Sequence, residues 1–265
     1  MVTTFGWRGA FSPPAPVSPV VPDQPARLQM HVTKLARDIG VRNLQHPKQL
    51  REAAEYITMQ FKDAGYPVEC EEYTTLKITS CNVVATKRGR DATHPMVIIG
   101  AHYDTLDYKS HETPGADDNA SGVAVMLEVA KRVAPMSTEA TVRFIAFTNE
   151  EPPYFHTEAM GSRVYARAAK KRGEQIKLML SLDAVGYYSS RWGSQRYPPI
   201  LGPFYPNRGD FLGVITGYKW QSLLKPVVHA FRRGTNLPVE MIATPQFIEG
   251  TDFSDHWSFW VEGYP

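Results

Sequence analysis

The sequence predicts an α/β protein built on a largely parallel central sheet. Short apolar runs such as MVIIG and TVRFIAF are bounded by turn residues, as in strands that are buried on both faces. Segments with apolar residues at helical spacing separate these runs. The chain has 265 residues, of which 43% are hydrophobic and 21% charged, enough to bury one large core or two modest ones. Strands that alternate with helices favour a parallel sheet.

The first 25 residues differ in composition from the rest. The stretch SPPAPVSPVVPDQP is dense in proline and predicts an extended, flexible leader over residues 1–25. It lacks the charged-then-apolar order of a signal peptide. Residues 26–265 are predicted to form the folded domain.

Two helices and three strands are predicted in the first half of that domain. Leu28, Val32, Leu35 and Ile39 recur at helical spacing, and a second helix runs from about Pro47 to Ala64. The strands that follow are PVECEEYTTLKI, CNVVATKRG and MVIIGAHYD.

The second half continues the alternation. A helix follows GADDNASG, and the strand TVRFIAF, a basic helix over about 162–171 and the strand KLMLSL come next. Residues 188–207 are rich in aromatics, Gly and Pro and predict a long irregular insertion. VVHAFRRG then predicts part of a helix, and MIATPQFIEGTDFSDHWSFW a strand plus a loop.

Composition argues against several partners. The net charge of +2 is small, and the short basic runs KRGR and KKRG fit solvated loop or helix ends, so no nucleic-acid partner is expected. No apolar run reaches membrane-spanning length, so no membrane span is expected. Cys70 and Cys81 are compatible with a single bridge in an oxidising compartment or with two buried thiols.

Polar side chains of one chemical kind follow three of the predicted strands. His102 and Asp104 follow MVIIGA, Glu150 and Glu151 follow RFIAFTN, and Asp183 follows LMLSL. Ligands in open α/β sheets bind at the carboxyl ends of the strands. Each residue alone has a structural explanation, such as a helix start or a turn, but together they predict one cluster at one edge of the sheet.

The adjacent carboxylates of Asp117 and Asp118 lie on the loop GADDNASG, which leaves this same edge. Capping of the following helix explains one aspartate, but the second needs another reason. Converging carboxylates repel one another unless a cation compensates them. One imidazole with several carboxylates and no thiolate suits zinc, and manganese or cobalt is also feasible.

In order and separation, GAHYDT, PGADDNASGVA, TNEEPPYF, SLDAVGYY and SDHWSFW resemble motifs of the M28 family of zinc aminopeptidases. The resemblance runs from about Leu28 to Pro265. It implies a mixed sheet sandwiched between helices and two zinc ions about 3.5–4 Å apart.

The resemblance also implies roles for individual residues. The implied zinc ligands are His102 and Asp183 at the first zinc, Asp118 bridging both ions, and Glu151 at the second. The implied catalytic residues are Glu150, the general base for a metal-bridged water, and Asp104, which orients the imidazole through its other nitrogen. The family often has a cis peptide bond after the bridging aspartate, here Asp118–Asn119.

One family feature has no match in this sequence. The last zinc ligand of the family is a histidine downstream of the GYP segment, whereas this sequence ends at Pro265. We therefore expect a C-terminally incomplete member that lacks the last strand and helix of the fold. Two zinc ions are expected in the complete family site, and the number in this chain is left open.

The leading interpretation is a zinc-dependent exopeptidase that removes N-terminal residues from peptides. One alternative is an acyltransferase with a single zinc ion, similar to glutaminyl cyclase. Another is a non-catalytic binding module with an incomplete metal site. The sequence does not define substrate-binding residues, the natural substrate, the oligomeric state or the compartment, although many family members are exported.

Overall fold

The computed structural model describes residues 23–108, 111–197, 202–245, 248 and 250–265. These residues divide into two compact units, a larger one over 23–186 and 252–265 and a smaller one over 187–251. Residues 1–22 lie outside the described residues, so the flexible leader stays a prediction. The first helix begins at Gln24, slightly before the predicted end of that leader.

The larger unit contains a five-stranded sheet in the order β1-β2-β6-β3-β7, with β4 and β5 forming a separate short hairpin. In chain order, its strands are β1 (Val68–Thr75), β2 (Ile78–Lys87), β3 (Met96–His102), β4 (Asp107–Tyr108), β5 (His111–Glu112), β6 (Val142–Phe147) and β7 (Ile176–Ser181). Only β2 runs against the other four strands of the main sheet. The predicted mixed, largely parallel sheet is therefore confirmed.

Helices cover both faces of this sheet. Among the described residues, the α-helices are α1 (Gln24–Val32), which continues as a π-helical segment over Thr33–Ile39, α2 (Pro47–Asp63), α3 (Gly122–Val133), α4 (Gly161–Lys171), α5 (Gln221–Gly234) in the smaller unit, and α6 (His256–Val261). One apolar cluster joins α2 and α3 to side chains such as Phe144 on β6. A second cluster joins α4 and α6 to the alternate side chains Ile145 and Phe147, because successive residues of a strand point to opposite faces.

The smaller unit is a strand–helix–strand arrangement. Strand β8 (Leu212–Gly217) pairs in parallel with β9 (Val239–Thr244), and α5 packs Leu224 and Val228 against them. In the predicted insertion, Trp192 is exposed, while the rings of Tyr197 and Tyr205 pack 5.5 Å apart.

Four local features differ from the sequence predictions or complete them. The first predicted helix ends in π-helical geometry, and neither β8 nor α6 was predicted. Cys70 and Cys81 form a disulfide bond between β1 and β2, which decides between the two possibilities left open. Within the described residues, no helix combines the length and the apolar character needed to cross a membrane.

Candidate metal centre

The strand order brings the predicted acids together. Strand β3 lies between β6 and β7 and runs parallel to both, so the carboxyl ends of the three strands are adjacent. His102 ends β3, Glu150 and Glu151 lie on the loop after β6, and Asp183 lies just after β7. One histidine and acids from two separate loops therefore meet at one edge of the sheet.

His102 is the centre of this cluster. Its side chain is 1% exposed, and its Nε2 atom lies 3.1 Å from Asp118 Oδ1, 3.7 Å from Asp183 Oδ1 and 3.8 Å from Glu150 Oε2. The donor atoms of His102, Asp118 and Asp183 all lie within 4.8 Å of one another, and the same holds for His102, Glu150 and Glu151.

The spacing of these donors fits a bound metal ion. Two ligands of a tetrahedral zinc, each about 2.0–2.2 Å from the ion, lie roughly 3.3–3.6 Å apart. The distances from His102 Nε2 to the three carboxylates bracket that value. A neutral imidazole nitrogen with carboxylate oxygens is also a donor set that zinc accepts.

Asp118 lies on a loop that contacts the end of β7. The Asp118–Asn119 peptide bond is cis, as the resemblance implied. Asn119 Nδ2 donates a hydrogen bond to the Leu182 carbonyl at 2.9 Å, and the Gly122 amide donates to Asn119 Oδ1 at 3.0 Å. The Asp118 side chain is 57% exposed, so it faces the open side of the cluster.

Asp117 has a bracing role and makes no side-chain cap on α3. Its Oδ1 atom accepts hydrogen bonds from the Gly186 amide at 2.7 Å and from Ser121 Oγ at 3.2 Å. Ser121 Oγ in turn accepts a bond from the Val185 amide at 3.0 Å. These bonds tie the loop before α3 to the loop after Asp183.

Asp104 anchors the loop that bears Glu150 and Glu151. Its two carboxylate oxygens accept the amides of Glu150 and Glu151, each at 3.1 Å. The distance from Asp104 Oδ1 to His102 Nδ1 is 3.6 Å, longer than a hydrogen bond, and Nδ1 has no hydrogen-bond partner among the described residues. Asp104 therefore lies beside the ring nitrogen, but its hydrogen bonds go to the main chain.

Burial and mutual repulsion shift the proton affinities of the cluster. Burial raises the pKa of Glu150, and it raises the pKa of Glu151 to about 7. Burial lowers the pKa of His102, but Glu150 and the nearby aspartates outweigh it and hold that pKa well above its usual value. Burial also opposes ionisation of Asp183, but His102 outweighs this effect and the Asp183 pKa is lowered. A divalent cation would relieve the repulsion among these acids.

Two further residues of this region were not predicted from the sequence. Asp255, which precedes α6, is fully buried, and burial raises its pKa. Arg42, on the segment between Ile39 and α2, is fully buried as well. Asp255 stands inside the quoted motif SDHWSFW and could have been noticed there, whereas nothing around Arg42 marks it.

Residues 82–265 match the sequence model of peptidase family M28. The chain belongs to this family. The Escherichia coli K12 protein YfbL, named as uncharacterized, is 37% identical over 91% of this chain and 75% of its own length. Curated proteins named aminopeptidase or zinc metalloprotease match 46% to 58% of this M28 chain. The chain spans 26% to 38% of their length.

Solved structures share the fold of this M28 metallopeptidase. BSAP, a zinc aminopeptidase from Bacillus subtilis, superposes with a TM-score of 0.65 at 16% identity, over 93% of this chain and 84% of BSAP. The glutaminyl cyclase of Fimbriiglobus ruber superposes with a TM-score of 0.61 at 19% identity, over 96% of this chain and 86% of its own. At these identities the likeness concerns the fold alone.

Proposed function

We propose that this M28 metallopeptidase is a zinc-dependent aminopeptidase in which Glu150 is the general base. The observation that carries the proposal is the position of His102 Nε2, 3.1–3.8 Å from carboxylates on three separate loops. The relatives named as aminopeptidases and zinc metalloproteases support the reaction class and the metal.

The residues divide into two ligand groups. His102, Asp118 and Asp183 would hold one zinc ion, and Asp118 with Glu151 would contribute to a second position. Bound zinc would polarise the scissile carbonyl and promote deprotonation of water at neutral pH.

Glu150 is suited to proton transfer. Its side chain is nearly buried and lies 3.8 Å from His102 Nε2, and its amide is fixed by Asp104. Burial raises the pKa of Glu150 in the metal-free protein, and the positive charge of bound zinc would act in the opposite direction and favour the ionised carboxylate. Glu150 can therefore accept a proton from the attacking water and return it to the leaving amine.

The charge of the cluster supports a substrate with a free amino terminus. Asp118 keeps its carboxylate on the open side, above a set of mostly buried acids. A protonated α-amino group is attracted to such a region, whereas an acetylated terminus is not. We expect hydrolysis of leucine p-nitroanilide and at least 100-fold slower hydrolysis of its N-acetyl form.

Glu150→Gln tests the assigned base. Glutamine keeps the shape of the side chain but cannot accept the proton, so kcat should fall by about 10²–10⁴. Leucine p-nitroanilide hydrolysis measures the loss, and elemental analysis should show unchanged zinc. The control is Glu139→Gln, an exposed residue that precedes the amino end of β6, the end opposite Glu150, and it should keep full activity. An E150Q enzyme with more than a tenth of the original kcat contradicts the proposal.

A different substrate separates the proposal from the cyclase alternative, which shares the fold. A peptide with an N-terminal glutamine releases ammonia if its amine attacks its own side-chain amide, and it releases free glutamine if the peptide bond is hydrolysed. Ammonia release without hydrolysis would replace the aminopeptidase proposal.

A further inference from the structure

Arg42 is a buried cation whose hydrogen bonds go to main-chain oxygens. Its side chain is 0% exposed. The acceptors are Tyr103 O at 2.7 Å from Nε, Leu35 O at 3.1 Å, Gly40 O at 3.0 Å and Pro114 O at 2.7 Å from Nη1, and Gly115 O at 3.2 Å from Nη2. A guanidinium can satisfy so many fixed acceptors because its donors form a rigid planar fork.

Three of these acceptors, the carbonyls of Tyr103, Pro114 and Gly115, lie on segments that carry proposed ligands. Tyr103 separates His102 from Asp104, and Gly115 lies three residues before Asp118. A single side chain therefore links the end of β3 to the loop that bears Asp118.

Main-chain bonds around Arg42 strengthen this link. The Arg42 amide donates to Thr105 Oγ1 and its carbonyl accepts from the Thr105 amide, both at 3.0 Å. Asn43 Nδ2 donates to the Thr105 carbonyl at 3.0 Å. The segment at residues 42–43 is thus fastened to the chain just after Asp104.

The loop that leads from Gly115 to Asp118 has little conformational freedom. Gly115 has φ +62°, and a Cβ atom there would lie 2.3 Å from the Asp118 carbonyl oxygen and 2.5 Å from Thr105 Cγ2. The Gly115 carbonyl also accepts the Ala120 amide at 3.0 Å. Fixing this carbonyl therefore restricts the path of the chain to Asp118.

The positive charge of Arg42 interacts with the aspartates Asp104 and Asp118 of the same region. Burial lowers its pKa to about 10, while Asp104 and Asp118 act in the opposite direction, so the guanidinium stays charged at neutral pH. It supplies positive charge behind an acidic cluster.

We propose that Arg42 is a positioning residue for the zinc site. Its side chain holds the loop of Asp118 beside His102 before the metal binds. This inference rests on the proposed function, since it takes Asp118 and His102 as zinc ligands. A preorganised ligand loses less freedom when the metal binds, so removing the fork weakens metal affinity even where no ligand is changed.

The test compares Arg42→Lys with Arg143→Lys. Lysine keeps the charge but cannot reproduce the fork. Arg143 is a partly buried arginine of β6, paired with Glu174 at 2.9 Å, and serves as the matched control. Zinc affinity is measured by competition with a chromophoric chelator, and the absorption spectrum of bound Co²⁺ reports ligand geometry.

We expect R42K to be folded by circular dichroism, to bind zinc about 10–100-fold more weakly and to show an altered Co²⁺ spectrum. At saturating zinc, its kcat should fall with little change in KM. Guanidinium added to Arg42→Ala should restore part of the zinc affinity. R143K should keep the original affinity and spectrum.

Several results would overturn the inference. They are an R42K protein with the original zinc affinity and spectrum, an equal loss in R143K, or failure of both Arg42 variants to fold while R143K folds. If the unmodified protein binds no zinc, the proposed function fails, and hydrogen exchange of the metal-free protein becomes the test. Exchange of the Thr105 and Ala120 amides should then be faster in R42K alone, and unchanged exchange would refute the positioning role.

Discussion

Asp255 is a fully buried carboxyl group whose two oxygens have no hydrogen-bond partner among the described residues. Burial raises its pKa, the positive charge of His102 opposes this shift, and the acids Asp183 and Asp104 act in the same direction as burial. The folded state therefore binds this proton more tightly than the unfolded chain does. In the metal-free protein, ionisation of Asp255 costs stability as the pH rises above the usual aspartate range near pH 4.

Asp255→Asn should remove that cost, because the amide stays neutral at every pH. We expect the metal-free variant to be more stable than the original protein by about 1–3 kcal/mol at pH 8, with the difference disappearing near pH 4. Denaturant unfolding at the two pH values measures it. Asp63→Asn, at the exposed end of α2, is the control and should show no such pH dependence. A variant less stable than the original at pH 8 would contradict this account.

At the scale of single residues, ionisable side chains that directly follow strands could be predicted from the sequence. A charged side chain that is bound only by main-chain oxygens could not. His102, Glu150 and Asp183 were predicted to converge because parallel strands end at one edge, and the order β6-β3-β7 brings them together. Arg42 was missed because its acceptors are carbonyl oxygens, which every residue carries.

At the scale of elements, the β1–β2 hairpin is closed by a disulfide bond. Cys70 and Cys81 are eleven residues apart and join β1 to β2, which pair along the whole of β1 from Val68 to Thr75. A closed loop of this size restricts the unfolded chain and contributes roughly 3 kcal/mol in the loop-entropy account. In the sheet order, β2 and β6 separate β1 from the strand that bears His102.

Replacing both cysteines by serine should therefore lower stability without lowering kcat. We expect a loss of about 2–4 kcal/mol in denaturant unfolding and unchanged hydrolysis of leucine p-nitroanilide below the transition. Reduction of the original protein with dithiothreitol should give the same shift. A large fall in kcat for the folded double variant would show that the hairpin supports the site after all.

Helices and strands with a regular spacing of apolar residues were predicted from the sequence, and those with a weak or ambiguous apolar pattern were not. The helix over Pro47–Asp63 has a proline start and regular apolar spacing, and it was predicted within one residue. Strand β8 contains two glycines and is only partly buried, so its apolar run is too weak to be recognised. Helix α6 has only six residues, and its aromatic side chains occur equally in strands.

For the molecule as a whole, we predict the zinc occupancy from the proposed donors among the described residues. Among the described residues, His102, Asp118 and Asp183 serve the first proposed position, whereas Asp118 and Glu151 serve the second. A position with three protein donors retains its metal better than a position with two. The two positions should therefore differ in affinity.

We expect elemental analysis to give one zinc per chain after zinc loading and extensive dialysis, with a second bound only at higher free zinc. Bound zinc should raise the free energy of unfolding, by about 4 kcal/mol when its concentration is 1,000 times the Kd. His102→Ala should abolish the retained zinc, and Glu151→Gln should leave it in place. Retention of two ions, or of one by H102A, would contradict this division.

The bracing by Asp117 links two loops that are distant in sequence. Hydrogen bonds from Gly186 to Asp117 and from Val185 to Ser121 fasten the loop after β7 to the loop before α3. The loops that bear Asp118 and Asp183 are therefore joined to each other by hydrogen bonds. We expect a displacement of one of the two carboxylates from His102 to displace the other as well.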